Sequence, residues 1–110
     1  MTRINCIPVE KLPSKLLLAE YREMLRTRNL AAGNNCSHYK LGTGHVKFFN
    51  DKGIYLINRH RQLVSEMNKR GYQTNYRLEL DWDSDRMNDW QPDVDSKIVN
   101  VSRIINRMTK

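Results

Sequence analysis

Little in this 110-residue chain supplies cross-links, metal ligands or membrane contact. Its two cysteines, Cys6 and Cys36, form no C-x-x-C pair. Neither a disulfide framework nor a zinc site follows from them, and two free thiols fit a reducing compartment. Cys36-Ser37-His38 has the residue types of half a metal site, but no second pair matches it, so no metal is expected. No apolar run approaches the ~18 residues that span a bilayer, and no leader-like segment precedes the domain. The expectation is a cytoplasmic chain without membrane contact. Internal repeats and low-complexity linkers are also missing, and 110 residues suit a single domain, 1–110, with one modest core.

Positive charge is plentiful and unevenly placed. Residues 1–70 hold 13 Lys/Arg against 5 Asp/Glu, residues 71–95 hold 2 against 7, and residues 96–110 hold 4 against none. Two basic blocks therefore flank an acidic connector. Clustered positive charge on a small domain points first to nucleic acid, through phosphate neutralisation and counterion release. A compact nucleic-acid-binding domain of this size is expected to be a monomer.

Three segments carry helical periodicity. Ser14 is the expected N-cap of a first helix running to about Asn29, with Leu17, Leu18, Tyr21, Met24 and Leu25 on one flank. On another face, Lys15, Arg22 and Arg26 recur at i, i+7 and i+11, within about 40° of one another. The spacing predicts a second helix from about Gly53 to Arg70, with Ile54, Ile57, Val64 and Met67 on one face, Leu56 and Leu63 beside them, and Gly71 as its stop. Pro92-Asp93 opens the third, where Val94, Ile98, Val101, Ile105 and Met108 form an apolar stripe. Residues 72–91 are aromatic and acidic without clear period. They read as an ordered loop that Trp82 and Trp90 pin to the core. The predicted fold is all-α, a compact single domain of three main helices with long ordered loops.

The chemistry begins at the first residues. With Met1 removed, the chain starts at the free α-amine of Thr2. Such an amine has an ordinary pKa of about 7.7–8.0, so much of it is unprotonated and nucleophilic at neutral pH. A glutamate beside it would stabilise positive charge developing on an attacked sugar. Gly42-x-Gly44-His45 lacks the third glycine of a dinucleotide fingerprint and the Gly-Lys-Ser/Thr of a P-loop. It allows close approach of backbone to a neighbour, with His45 as a phosphate donor or an ordinary structural hydrogen-bonder. Arg103 and Arg107, one turn apart, could straddle a phosphate or merely solubilise a last turn. Taken alone, the Lys15/Arg22/Arg26 stripe reads as the solvated face of a surface helix.

Together and in order, these segments are more specific. Met1-Thr2-Arg3-Ile4-Asn5, Ala19-Glu20-Tyr21-Arg22-Glu23 with Arg26, Leu41-Gly42-x-Gly44-His45-Val46-x-Phe48-Phe49-x-Asp51-Lys52, and Lys69-Arg70-Gly71 resemble the pyrimidine-dimer DNA glycosylases. These are the small phage-type repair enzymes often called endonuclease V. The resemblance is strong over residues 1–71 and thinner through Asp89-Trp90-x-Pro92 and the helix carrying Arg103 and Arg107.

The resemblance implies an all-α, metal-independent DNA repair enzyme, a glycosylase with associated abasic-site lyase activity, in a phage or bacterial host cytoplasm. Its partner would be damaged double-stranded DNA. The Thr2 α-amine would attack C1′ of the damaged nucleoside and form a Schiff base, with β-elimination then cutting the strand. Glu23 would stabilise the cationic sugar and shuttle protons. Arg22 and Arg26 would hold phosphates around a kinked duplex, Arg3 would position the sugar, and Lys15, His45, Arg103 and Arg107 would complete the DNA-binding set. A related enzyme acting on another lesion or only at abasic sites, and a catalytically silent basic DNA-binding module, are the alternatives. The family's usual Leu-Pro-Arg is Met24-Leu25-Arg26 here, so the proline-dependent kink of the first helix is expected to be absent.

Overall fold

In the computed structural model, residues 4–30 and 48–108 are described. They contain three α-helices, α1 (Ser14–Met24), α2 (Gly53–Lys69) and α3 (Val94–Met108), joined by short 3₁₀ turns and loops. Among the described residues there is no strand, only one isolated bridge between Lys52 and Met87. The all-α expectation holds.

The apolar side of α1 is Leu16, Leu17, Tyr21 and Met24, packed along α2, whose buried side is Tyr55, Leu56, Leu63 and Met67. The buried side of α2 is rotated from the expected one: Ile54 is 40% exposed, while Arg59 and His60 are buried. Ile4 and Phe49 complete the fully buried centre. Gly53 opens α2 where backbone passes close to Met87, since a Cβ there would meet the Met87 sulfur at 2.2 Å.

Two helix ends depart from the sequence-based reading. Pro13, not Ser14, precedes the first turn of α1, and its carbonyl accepts from the Leu16 and Leu17 amides. Ser14 is drawn away from capping, because its Oγ accepts from Arg70 Nη1 at 3.2 Å. At the other end α1 stops at Met24 and continues as a tighter 3₁₀ segment, Leu25–Asn29, although no proline is present. The cause is local. The Thr27 hydroxyl donates to the Met24 carbonyl at 2.6 Å, a back-bond that draws that carbonyl from the α-helical ladder.

The end of α2 follows expectation. Gly71 sits at φ 88°, its amide donates to the Asn68 carbonyl and the Tyr72 amide to that of Met67. That is the Schellman arrangement, which needs a residue tolerant of positive φ. Arg70 then binds Glu66 at 2.8 Å and the Val9 carbonyl at 3.3 Å, joining the end of α2 to the 3₁₀ turn Val9–Lys11 that precedes α1.

Residues 72–91 form the expected ordered connector. The Tyr21 hydroxyl accepts from the amides of Asn75 (2.8 Å) and Tyr76 (3.1 Å), the Tyr76 hydroxyl donates to the Tyr21 carbonyl, and His60 lies against both rings. Trp90 packs edge-on against Phe48, Phe49 and Tyr55. The Arg86 guanidinium lies 4.0 Å over Trp82 and donates to the carbonyls of Leu30 (2.6 Å) and Asn50 (2.7 Å).

The third helix reverses the expected arrangement. Its apolar stripe faces outward, with Val94 71%, Ile98 57%, Val101 40%, Ile105 58% and Met108 51% exposed, whereas Ser96 and Asn100 are buried. Asn100 explains the inversion. Its side chain satisfies the backbone amides of Cys6 (2.7 Å) and Ile7 (3.3 Å) and donates to Asn5 Oδ1 at 2.7 Å. Each such buried group would cost about 1–3 kcal/mol if left unpaired. The start of α3 is fixed as the sequence predicts, by the Asp93 carboxylate accepting from the Ser96 amide at 2.7 Å. That hydrogen bond holds the Asp93 carboxyl below its ordinary pKa.

Candidate active site

The described chain begins on a buried polar network. Ile4, Asn5 and Cys6 are 0%, 6% and 5% exposed, so the N-terminal strand of backbone runs through the interior instead of over the surface. Asn5 is held on two sides. Its Nδ2 donates to Glu20 Oε1 of α1 at 2.7 Å, and its Oδ1 accepts from Asn100 of α3. From α2, the Tyr55 hydroxyl donates to the Asn5 carbonyl at 3.1 Å and Arg59 Nη1 to the Ile7 carbonyl at 2.6 Å. All three helices thus grip residues 5–7.

The charged centre of the network is an ion pair between Glu20, 0% exposed, and Arg59, 4% exposed. Arg59 Nε and Nη2 donate to the two carboxylate oxygens at 2.7 and 3.0 Å, the two-pronged geometry that makes such pairs strong and directional. Burial alone pulls the Arg59 pKa down. The charge and hydrogen bonds of Glu20 more than reverse this and hold it above its ordinary value. The Tyr55 hydroxyl is pushed up by burial and stays neutral. Every group in this network is paired, so it fixes one arrangement of the N-terminal segment.

Glu23 lies one turn beyond Glu20, about 60° around α1 and about 4.5 Å along it. Its side chain is 13% exposed, and among the described residues it pairs with Arg26 at 3.8 Å, whose own side chain is 79% exposed. Glu23 is therefore sheltered but loosely paired, a carboxylate with capacity left for another positive charge. Lys15 and Arg22 are exposed on α1. Among the described residues neither makes an ion pair, so both leave uncompensated positive charge on α1.

A family model for pyrimidine dimer DNA glycosylases matches residues 1–80. The chain belongs to that family. Two of the segments that carry the resemblance have clear structural roles. Phe48 and Phe49 are buried in the centre, and Lys52 lies 4.1 Å over the Phe48 ring while donating to Asp51 at 2.8 Å. Lys69-Arg70-Gly71 is the stop of α2 described above. DNA is the substrate class that the family implies.

The remaining sequence-assigned residues fall differently. Thr2, Arg3 and His45 lie outside the described residues, as does Cys36. Cys6 is buried, and its Sγ donates to the Ser96 carbonyl at 3.6 Å. Arg103 and Arg107 are half-buried, on a different side of α3 from the outward apolar stripe. Among the described residues no group of three or more His, Cys, Asp or Glu side chains could hold a metal, and no helix is long and apolar enough to cross a membrane.

Sequence reasoning missed Asn5, Glu20, Arg59 and Asn100 as a unit. A signal existed in two of them. Glu20 interrupts the apolar positions Leu17, Tyr21 and Met24, and Arg59 interrupts Tyr55, Leu56 and Leu63. Opposite charges set into the apolar faces of two helices announce a buried pair.

Proposed function

We propose that this glycosylase removes a damaged pyrimidine, a cyclobutane dimer, from double-stranded DNA and then cuts the strand as an abasic-site lyase. The reading takes residues 1–110 as a single catalytic domain. The nucleophile is the α-amine of Thr2 after loss of Met1. Its lone pair attacks C1′, the glycosidic bond breaks, and the base departs with the bonding electrons and a proton. Ring opening gives an imine between the Thr2 nitrogen and C1′. Loss of a C2′ proton then expels the 3′ phosphate by β-elimination, and water releases the product. Glu23 is the acid/base and the carboxylate that stabilises the cationic sugar. Its shelter strengthens that stabilisation over what water would allow.

The observation that carries the proposal is the clamping of Asn5 by Glu20, Tyr55 and Asn100. Thr2 is three residues from Asn5, a reach of at most about 11 Å, which supports an amine that works within that distance of Asn5. An amine used as a nucleophile needs such tethering, since orientation supplies much of the rate. Lys15, Arg22 and Arg26 would bind phosphates beside it, with Arg3, His45, Arg103 and Arg107 assigned to DNA from the sequence. Extrusion of the target nucleotide costs a few kcal/mol, less at a poorly stacked lesion.

Borohydride trapping on dimer-containing and abasic DNA tests the reading. An adduct on both substrates, lost in Thr2→Pro, is expected. An adduct on abasic DNA without dimer excision would assign another lesion. DNA binding without any adduct, from protein that starts at Thr2, would leave a silent DNA-binding module.

A further inference from the structure

Arg86 stands in the acidic connector, beyond the residues 1–80 that the family model matches. It is fixed on three sides. Its guanidinium lies 4.0 Å over the Trp82 ring, Nε donates to the Asn50 carbonyl at 2.7 Å, and Nη2 donates to the Leu30 carbonyl at 2.6 Å. Asn50 is 3% exposed and follows the buried Phe48 and Phe49, so the guanidinium is anchored on the core and reaches from it to Leu30. Trp82 adds a second tie, its Nε1 donating to the Arg28 carbonyl at 3.4 Å. Both ties end on one short element, the 3₁₀ segment Leu25–Asn29 and the Leu30 that caps it.

That segment carries Arg26. Runs of 3₁₀ helix rarely exceed about three or four residues, because their hydrogen bonds are poorly aligned, and this one has five. The last carbonyls of any helix also lack partners within it; here Arg86 and Trp82 supply donors. A 3₁₀ winding turns each residue about 20° further than an α-helix does, so the direction in which Arg26 leaves the end of α1 depends on the segment keeping that winding. The Arg26 side chain is 79% exposed and meets Glu23 at 3.8 Å, so its aim is set by the backbone beneath it more than by its own contacts.

We propose that Arg86 and Trp82 are positioning residues for DNA binding, which hold the 3₁₀ segment so that Arg26 meets a backbone phosphate. The inference rests on the reading of Arg26 as a phosphate ligand. Arg86 acts through Leu30. Lysine in its place keeps the charge but loses the rigid fork that spans two carbonyls, and has the same consequence as its removal.

A double-mutant cycle on the full chain tests this, read by fluorescence anisotropy on an undamaged duplex at a temperature where circular dichroism shows every variant folded. Arg86→Ala and Arg86→Lys are each expected to weaken binding about fivefold, the order of one loosened charged hydrogen bond. Arg86→Ala with Arg26→Ala should bind within about twofold of Arg26→Ala alone. A general loss of stability would weaken binding by the same factor in both backgrounds, so this coupling separates positioning from folding. Trp82→Leu, which leaves the hydrogen bonds of Arg86 in place, carries the same cycle at smaller magnitude should Arg86→Ala not fold. Native affinity of Arg86→Ala, or penalties that add to that of Arg26→Ala, overturns the proposal and leaves Arg26 as a phosphate ligand. Native affinity of Arg86→Lys beside a weakened Arg86→Ala also overturns it, by making Arg86 a direct phosphate contact. Native affinity of Arg26→Ala overturns both the proposal and the reading of Arg26 on which it rests.

Discussion

Replacing Glu20 with glutamine puts the buried network under the sharpest test. The carboxylate accepts from Arg59 Nε, Arg59 Nη2 and Asn5 Nδ2 at 2.7, 3.0 and 2.7 Å, and it has no access to water. Glutamine keeps the shape but removes the charge and turns an NH₂ group towards one of three donors. The Arg59 charge is then left buried without its counterion. Removing one partner of a buried pair costs about 3–5 kcal/mol, a large share of the 5–15 kcal/mol that holds a typical domain together. Urea unfolding is expected to show a much lower midpoint with a similar slope. The double variant Glu20→Leu with Arg59→Leu removes both charges and leaves Asn5 Nδ2 and the Ile7 carbonyl as the main losses, each about 1–3 kcal/mol. It should therefore be less destabilised than the sum of Glu20→Leu and Arg59→Leu by at least about 2 kcal/mol. A Glu20→Gln cost below about 1 kcal/mol, with an additive double variant, would refute the reasoning.

Other perturbations separate chemistry from binding and stability. Glu23→Gln is expected to bind DNA with near-native affinity yet lose glycosylase turnover; unchanged turnover in a single-turnover excision assay rejects its assigned role. Arg22→Ala and Arg26→Ala should each weaken binding across all sequences and reduce the log–log salt slope by about 1, which fluorescence anisotropy at several ionic strengths would measure. His60 is 2% exposed, and burial holds its pKa below the ordinary value. The unfolded chain therefore takes up a proton near pH 6.5 that the folded chain refuses, so stability falls as pH drops through and below that value. His60→Phe should flatten this stretch of the stability–pH curve, and an unaltered curve would show that another group controls it.

Much of the frame is legible from residue spacing because local rules act there without competition. Gly71 marks the stop of α2 since the Schellman turn needs positive φ, and Asp93 caps α3 as its side chain allows. The α1 face was legible in part: Lys15, Arg22 and Arg26 are exposed as their spacing implies. What the spacing misreads is decided by tertiary polar contacts. Asn100 outweighs five apolar side chains in setting the rotation of α3, because it satisfies amides of a segment more than ninety residues away in sequence. Thr27 ends α1 early through one hydroxyl bond that periodicity does not register. The Glu20–Arg59 pair joins residues 39 apart, so each half reads separately as a charge in the wrong place.

The central claim is that the first amine of the mature chain does the chemistry. It is tested most directly by digesting the borohydride-trapped complex and mapping the sugar adduct by mass spectrometry, on protein shown to start at Thr2. The account predicts the adduct on the α-amine of the peptide beginning Thr2-Arg3. An adduct on a lysine side chain, with the Thr2 amine unmodified, would contradict it.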